Sequence, residues 1–123
     1  MLLVGLKRCS TCRDIEKKLQ SCRINYQYRE IDKDIPSVYE LKKWFKASHE
    51  SNRKKLVNTS GIKYREMNLK SKWDKLSENE QYQLLATDGM LIKRPILITD
   101  NNEVYIGPKV KDYVNQKLER EDT

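Results

Sequence analysis

The fold is decided by the stretch Leu2-Leu3-Val4-Gly5-Leu6-Lys7-Arg8-Cys9-Ser10-Thr11-Cys12. Its first five residues form the kind of short apolar run that is typical of a buried strand. After the run, one helical face is indicated by spacings of three and four between Cys12, Ile15, Leu19 and Cys22. Ser10 or Thr11 can cap the start of that helix. The stretch therefore predicts a strand that leads into an amphipathic helix, with Cys9 at the junction.

Three more strands are predicted further along the chain. Alternation of apolar and polar residues indicates a second strand over 24–31. The last two form a hairpin, Ile96-Leu97-Ile98 and Val104-Tyr105-Ile106, joined by a turn. Two strands connected by a helix form a right-handed parallel unit. With the hairpin beside that unit, the sequence predicts an α/β protein with a four-stranded mixed sheet.

A helical segment is predicted between the second strand and the hairpin. Ser37-x-x-Glu40 and Ser77-x-x-Glu80 are capping boxes that begin two helices, with shorter helical pieces over 56–76. The second of these helices is expected to end at Gly89 in the left-handed conformation. Pro108 suits the first turn of a last helix, before a polar tail at 119–123. This order matches a thioredoxin-like fold with flanking helices and a helical insertion at roughly 36–88. The length of 123 residues predicts a single domain, 1–123.

Composition narrows the class of protein. Charged residues make up 35% and the net charge is +7, but the basic residues are spread along the chain and no nucleic-acid-binding motif is present. We therefore expect no direct contact with nucleic acid. No apolar run approaches the roughly 20 residues of a membrane span or the core of a signal peptide. We expect a cytoplasmic protein that does not bind membranes, in which structural disulfides are not favoured.

The strongest chemical signal is the pair Cys9 and Cys12. Cys9 would lie just before a helix, where backbone donors, the helix dipole and nearby basic residues such as Arg13 stabilise a thiolate. A thiolate is the nucleophile that both disulfide exchange and oxyanion reduction require. Cys12 falls on the apolar face, where it can be a resolving thiol or a small core residue. Cys22 is interpreted as a core residue.

Zinc binding is the rival interpretation of the cysteines, with His49 as a fourth ligand. Cys12 and Cys22 are ten residues apart on one helix, which is roughly 15 Å. Zinc ligands lie about 2.0 to 2.3 Å from the metal, so these two sulfurs cannot share one ion. No metal and no tightly bound organic cofactor are expected.

A second signal is Arg94-Pro95, which leads into the third strand. A proline at the first residue of a strand ordinarily marks only the point where the strand begins, because proline has no N–H to donate to the sheet. In a thioredoxin-like layout, a proline at this position is cis and faces the cysteine loop. Arg94 would then point at Cys9, where its guanidinium can hold an oxyanion through two hydrogen bonds.

Three pieces of sequence, in this order, carry a family resemblance: Cys9-Ser-Thr-Cys12-Arg13, then Asn58-Thr-Ser-Gly61 with Lys63-Tyr64-Arg65-Glu66-Met67-Asn68-Leu69, and Leu84-Leu85-Ala-Thr-Asp-Gly-Met-Leu-Ile-Lys-Arg94-Pro95-Ile96. They resemble the ArsC-like family, which includes arsenate reductases, the Spx and MgsR regulators, and YffB- and YusI-type proteins. The middle piece is most similar to the YusI-type members.

The resemblance implies a thioredoxin-like fold in which Cys9 is the reactive cysteine. In the arsenate reductases that cysteine attacks arsenate, and glutathione with glutaredoxin completes the reduction. Arg94 matches one of the arginines that hold the oxyanion, whereas Asn58 and Gly107 stand where two others are expected. The arsenate reductases carry Ser in place of Cys12, so a Cys9–Cys12 disulfide is available in this chain and not in them.

The sequence thus leads to one favoured function and two alternatives. The favoured one is a thiol oxidoreductase of the arsenate reductase type, with Cys9 and Cys12 catalytic, Arg13 and Arg94 stabilising an anion or thiolate, and a small thiol, glutaredoxin or thioredoxin as electron donor. The first alternative is an Spx-like redox-sensing regulator that binds the α-subunit of RNA polymerase. The second is an adaptor domain that has kept the fold without the chemistry.

Overall fold

A computed structural model describes residues 1–118, without the side chain of Leu118. The predicted polar tail at 119–123 lies outside the described residues. Strands are β1 (Leu2–Gly5), β2 (Gln27–Glu30), β3 (Ile96–Ile98) and β4 (Val104–Ile106). Helices are α1 (Ser10–Ser21), α2 (Val38–Ser48), α3 (Ile62–Glu66), α4 (Leu69–Lys72), α5 (Glu78–Leu85) and α6 (Pro108–Tyr113), with a π-helical turn at Val114–Leu118. Short 3-10 turns lie at Arg53–Leu56, Trp73–Lys75 and Gly89–Leu91.

The four strands form one mixed sheet in the order β2-β1-β3-β4. β1 pairs in parallel with β2, so that Leu3 lies opposite Tyr28, and it pairs antiparallel with β3. β3 and β4 form the antiparallel hairpin. The predicted four-stranded mixed sheet is therefore confirmed, although β2 is shorter at both ends than the alternation over 24–31 indicated.

The chain divides into two compact units. The first unit contains Met1–Glu30 and the chain from Arg94 onward, and therefore holds the whole sheet with α1 and α6. Its core brings together six buried apolar side chains from β1, α1, β3 and the C-terminal helical segment: Leu3, Ile15, Leu19, Leu97, Val110 and Val114. Burial of this set is what holds α1 and its first turn against the sheet.

The second unit, Ile31–Lys93, is the helical segment that the sequence places at roughly 36–88. Both capping boxes are confirmed, since Ser37 and Ser77 each accept a hydrogen bond from the backbone N–H three residues on, and Glu40 and Glu80 bond back. Buried Gln81 ties the unit together, because its side chain donates to the Trp73 carbonyl at 3.0 Å and accepts from Arg53 at 2.7 Å.

The prediction for Gly89 was wrong. The helix α5 ends earlier, at Leu85, and Gly89 begins a 3-10 turn with an ordinary negative φ. A Cβ at Gly89 would lie 2.0 Å from the carbonyl oxygen of Ile31. Glycine is needed here for a close approach of two backbone segments, a requirement that arises from tertiary packing and that the local pattern does not show.

Candidate active site at the start of helix α1

Cys9 is the N-cap residue of α1. After β1 the chain makes a turn in which the Cys9 N–H donates to the Leu6 carbonyl at 2.9 Å. The Cys9 carbonyl then accepts the first helical hydrogen bond, from the Arg13 N–H at 3.0 Å. The expectation that Ser10 or Thr11 caps the helix was therefore wrong, since both already lie within or at the first turn with exposed side chains. Because Cys9 is itself the N-cap residue, its sulfur lies at the positive end of the helix.

The surroundings of Cys9 favour its thiolate. Partial burial by itself raises the pKa of Cys9, but the backbone N–H groups and thiol that face the sulfur outweigh it and lower the pKa below its ordinary value. These donors are the backbone N–H groups of Cys12 and Thr11 and the thiol of Cys12, and the positive charge of Arg94 acts in the same direction. The neutral thiol accepts no capping hydrogen bond. The donors thus act on the ionised form, which is the reactive one.

Cys12 has the opposite character. Its side chain is fully buried under the first turn of α1. Burial raises the pKa of Cys12 to about 12, and the neighbouring Cys9 sulfur adds to the effect. The backbone N–H of Leu6 acts in the other direction without cancelling it. The pair therefore combines a half-exposed sulfur that ionises readily with a buried sulfur that holds its proton.

Arg94 and Pro95 join this pair from the residues just before β3. The Arg94–Pro95 peptide bond is cis, as the sequence predicts for this layout. Pro95 is buried, and its carbonyl accepts a hydrogen bond from the Gly107 N–H at 2.8 Å. The charge of the half-buried Arg94 acts on both cysteine sulfurs. The structure therefore brings together Cys9, Cys12 and Arg94 from distant parts of the sequence.

The sequence also singled out Arg13, Cys22 and His49. Arg13 is exposed in the first turn of α1, and its assignment as an anion-stabilising residue stays a prediction. Cys22 stands at the opposite end of α1, where it is the C-cap residue and packs against the apolar core. His49 is exposed at the end of α2. Within residues 1–118, no group of three or more His, Cys, Asp and Glu side chains is arranged to hold a metal ion.

Sequence reasoning missed a tyrosine beside the cysteines. A Cβ at Gly5 would lie 2.8 Å from the Tyr28 hydroxyl oxygen and 2.9 Å from the Cys12 sulfur. The Lys7 ammonium lies 4.1 Å from the centre of the Tyr28 ring and 3.5 Å from a Glu16 carboxylate oxygen. The parallel pairing of two predicted strands, with Gly5 two residues after Leu3, is the signal that would have placed Tyr28 on this face.

One surface depression of the first unit lies away from the cysteine pair. It has a volume of about 520 Å³ and is lined by the start of β1, the end of β3 and residues such as Tyr26 and Asp100. This is the amino end of β1, whereas Cys9 follows its carboxyl end.

Across the described part of the chain, we find no helix of the length and apolarity that spanning a bilayer requires.

The structure defines a thioredoxin-like protein with a thiol site. This follows from the sheet order, from the cysteine pair at the start of α1 and from the cis proline before β3. Within that class the family is also settled, because residues 4–115 match the ArsC family. The chain belongs to the ArsC family.

Known proteins agree with this assignment. The chain is 47% identical to the uncharacterized protein YusI of Bacillus subtilis (strain 168) over 102 residues, which cover 83% of this chain and 85% of YusI. It is 26% identical to the global transcriptional regulator Spx 2 of Bacillus cereus, over 87% of this chain and 79% of the regulator. Among solved structures, a possible arsenate reductase from Streptococcus mutans UA159 superposes with a TM-score of 0.79 and 37% identity, covering 88% of this chain and 90% of that one.

Proposed function

We propose that this protein is a thiol oxidoreductase of the arsenate reductase type, with Cys9 as its nucleophile. The observation that carries the proposal is the Cys9 sulfur at the N-terminus of α1, where backbone donors and Arg94 lower its pKa. Similarity to a structure described as a possible arsenate reductase supports the substrate class. A reducing cytoplasm suits an enzyme that must keep this thiol free.

The residues at the site fit a two-electron reduction. Cys9 attacks arsenate as the thiolate while Arg94 holds the oxyanion, and a sulfur–arsenic bond forms with loss of water. Cys12 then attacks Cys9, so that a Cys9–Cys12 disulfide forms, arsenite leaves and arsenic has gained two electrons. A donor thiol, from glutathione with glutaredoxin or from thioredoxin, reduces the disulfide again. Gly107, next to Pro95, has no side chain that could bind the anion, so Arg94 is the residue that binds it.

Arsenate-dependent NADPH consumption tests this function. The assay is coupled through glutathione with glutaredoxin and, separately, through thioredoxin, and it compares the wild type with Cys9→Ser. Cys22→Ser is the matched control, because Cys22 lies at the far end of α1. We expect turnover with at least one donor, loss of turnover in Cys9→Ser and retention in Cys22→Ser. No turnover with either donor would contradict arsenate as the substrate.

An Spx-like regulator is the second candidate, because the likeness to the regulator Spx 2 extends over most of this chain. In that case the Cys9–Cys12 pair would be a redox switch, and the partner would be the C-terminal domain of the RNA polymerase α-subunit. A pull-down with that domain, using oxidised and reduced protein, separates the two functions. Redox-dependent binding without arsenate turnover supports the regulator, and absence of binding in both states removes it.

A further inference from the structure

The Tyr28 hydroxyl is an exception to the usual pairing of buried polar groups. Its oxygen is buried and has no hydrogen-bond partner within residues 1–118. A buried hydroxyl without a partner is costly, and tyrosine hydroxyls in protein interiors normally find one. Neither the packing of the sheet nor the proposed role of Cys9 accounts for this oxygen. A neighbouring atom that becomes negative during the reaction would give this hydroxyl its partner.

The neighbour is the sulfur of Cys12. Tyr28 lies opposite Leu3 in the parallel pair, so its side chain is on the same face of the sheet as Leu3 and, two residues on, Gly5. The Tyr28 oxygen and the Cys12 sulfur both lie within 3 Å of the point that a Cβ on Gly5 would occupy, at 2.8 and 2.9 Å. The missing side chain of Gly5 thus leaves a notch that the hydroxyl and the sulfur both border.

The hydroxyl of Tyr28 keeps its proton at neutral pH. Burial, followed by the neighbouring Cys12 sulfur, raises the pKa of Tyr28. The Lys7 ammonium lies over the ring, 4.1 Å from its centre, and forms an ion pair with Glu16 at 3.5 Å. A protonated phenol next to a sulfur can serve only as its donor when that sulfur becomes negative.

We propose that the Tyr28 hydroxyl donates a hydrogen bond to the Cys12 sulfur whenever Cys12 carries negative charge during thiol–disulfide exchange. The inference rests on the proposed function, since it requires a Cys9–Cys12 disulfide. In the reductive step, the thiolate of a small thiol or redoxin attacks the Cys9 sulfur and a new disulfide to Cys9 forms. The Cys9–Cys12 bond breaks, its electron pair stays on Cys12, and Cys12 then takes a proton from solvent while Tyr28 keeps its own.

This role affects rates and leaves the equilibrium unchanged. At neutral pH the reduced protein holds Cys12 as a thiol, because burial raises its pKa to about 12. The Cys12 thiolate therefore exists only along the path between the two end states. The same charge develops on Cys12 when the disulfide is formed and when it is broken. Loss of the Tyr28 donor should slow both directions by the same factor and leave the midpoint potential of the pair in place.

Tyr28→Phe tests the proposal in the full chain, with Tyr105→Phe as the matched control. Tyr105→Phe also removes a tyrosine hydroxyl from the sheet, but that hydroxyl donates to Glu103 at 3.3 Å and belongs to β4, two strands away from β1. Both variants carry Cys22→Ser so that one disulfide can form. Dithiothreitol reduces the oxidised protein and oxidised dithiothreitol re-forms the disulfide, with acid quenching and mass spectrometry at each time. Equilibration in mixtures of both forms gives the midpoint potential.

We expect Tyr28→Phe to slow reduction and re-oxidation equally, by about tenfold to a hundredfold, since a hydrogen bond to a charged atom is of that strength. The midpoint potential and the Tyr105→Phe rates should match those of the parent. Unchanged rates in Tyr28→Phe, equal slowing in Tyr105→Phe, or a rate change in one direction with a shifted potential would each overturn the role of Tyr28. If the Cys22→Ser parent protein forms no Cys9–Cys12 disulfide, the proposed function is contradicted as well. Folding is not at risk, because the substitution removes an unpaired oxygen.

Discussion

At Cys9 and Cys12, two sulfurs that lie three residues apart in sequence experience different environments. Cys9 ends a turn at the start of α1, where backbone N–H groups have no helical partners. Cys12, one helical turn further, faces Gly5 and the sheet. A helix start beside a sheet is therefore enough to make one thiol acidic and the other resistant to ionisation.

How far these roles could be predicted depends on the distance over which each residue acts. The roles of Cys9 and Arg94 were predicted from local motifs and the thioredoxin-like layout, and the cis bond before β3 is confirmed. The cap was misassigned because Ser and Thr are the usual N-cap residues. Tyr28 was missed because its position beside Cys12 depends on strand pairing and on a notch at Gly5. Neither is encoded in the sequence around Tyr28.

Arg94→Gln should weaken the attraction of Cys9 for anions. The half-buried guanidinium acts on the Cys9 sulfur, whereas Arg13 and Lys17 are exposed on α1. The measurement is the ratio of Cys9 alkylation rates with anionic iodoacetate and neutral iodoacetamide, which cancels changes in thiolate content. We expect the ratio to fall severalfold in Arg94→Gln and little in the charge-matched control Lys17→Gln. A larger fall in Arg13→Gln would show that anions are held on the outer face of α1 instead.

Among the helices and turns, the capping boxes of α2 and α5 were predictable because four consecutive residues contain both partners of each hydrogen bond. The turn at Gly89 was not, because its constraint comes from Ile31, nearly sixty positions earlier in the chain. Glycine after a helix usually indicates a left-handed C-cap. The sequence thus correctly indicated that position 89 needs glycine, but the need comes from the close approach of Ile31 and not from a helix C-cap.

Gly89→Ala should destabilise the protein by about 2 kcal/mol or more, because a backbone carbonyl at 2.0 Å cannot move away without shifting the chain. Gly61→Ala is the matched control. There the nearest atom is the amide nitrogen of the Asn58 side chain at 2.6 Å, which can rotate, so we expect a loss of about 1 kcal/mol. Urea unfolding of both variants measures the difference. Equal losses would mean that the approach of Gly89 to Ile31 is not a rigid feature.

For the whole molecule, ionisation of Cys12 couples folding to alkaline pH. Its pKa is raised to about 12 in the folded protein, from an ordinary value of 9.0. The unfolded chain therefore releases this proton first, so the stabilisation is complete below pH 9.0 and is lost as the pH rises toward about 12. One such group contributes a slope of about 1.4 kcal/mol per pH unit inside that window.

Cys12→Ala removes that contribution. Its unfolding free energy should fall less steeply with pH than that of the wild type over the same window, whatever the cost of the lost side chain at neutral pH. Leu19→Ala, which removes a buried side chain without a titrating group from the same helix, serves as the control, and its slope should equal the wild-type slope. Urea titrations at a series of alkaline pH values give these slopes. Parallel lines for wild type and Cys12→Ala would mean that Cys12 ionises as easily in the folded protein as in the unfolded chain.

The central claim, that Cys9 is a nucleophilic thiolate, is tested most directly by its rate of alkylation with iodoacetamide as a function of pH. Mass spectrometry assigns the modified residue, and Cys9→Ser supplies the blank. We predict a titration midpoint clearly below the ordinary value of 9.0 and rapid, selective modification of Cys9 near neutral pH. A midpoint at or above 9.0, or modification of Cys22 ahead of Cys9, would contradict the account.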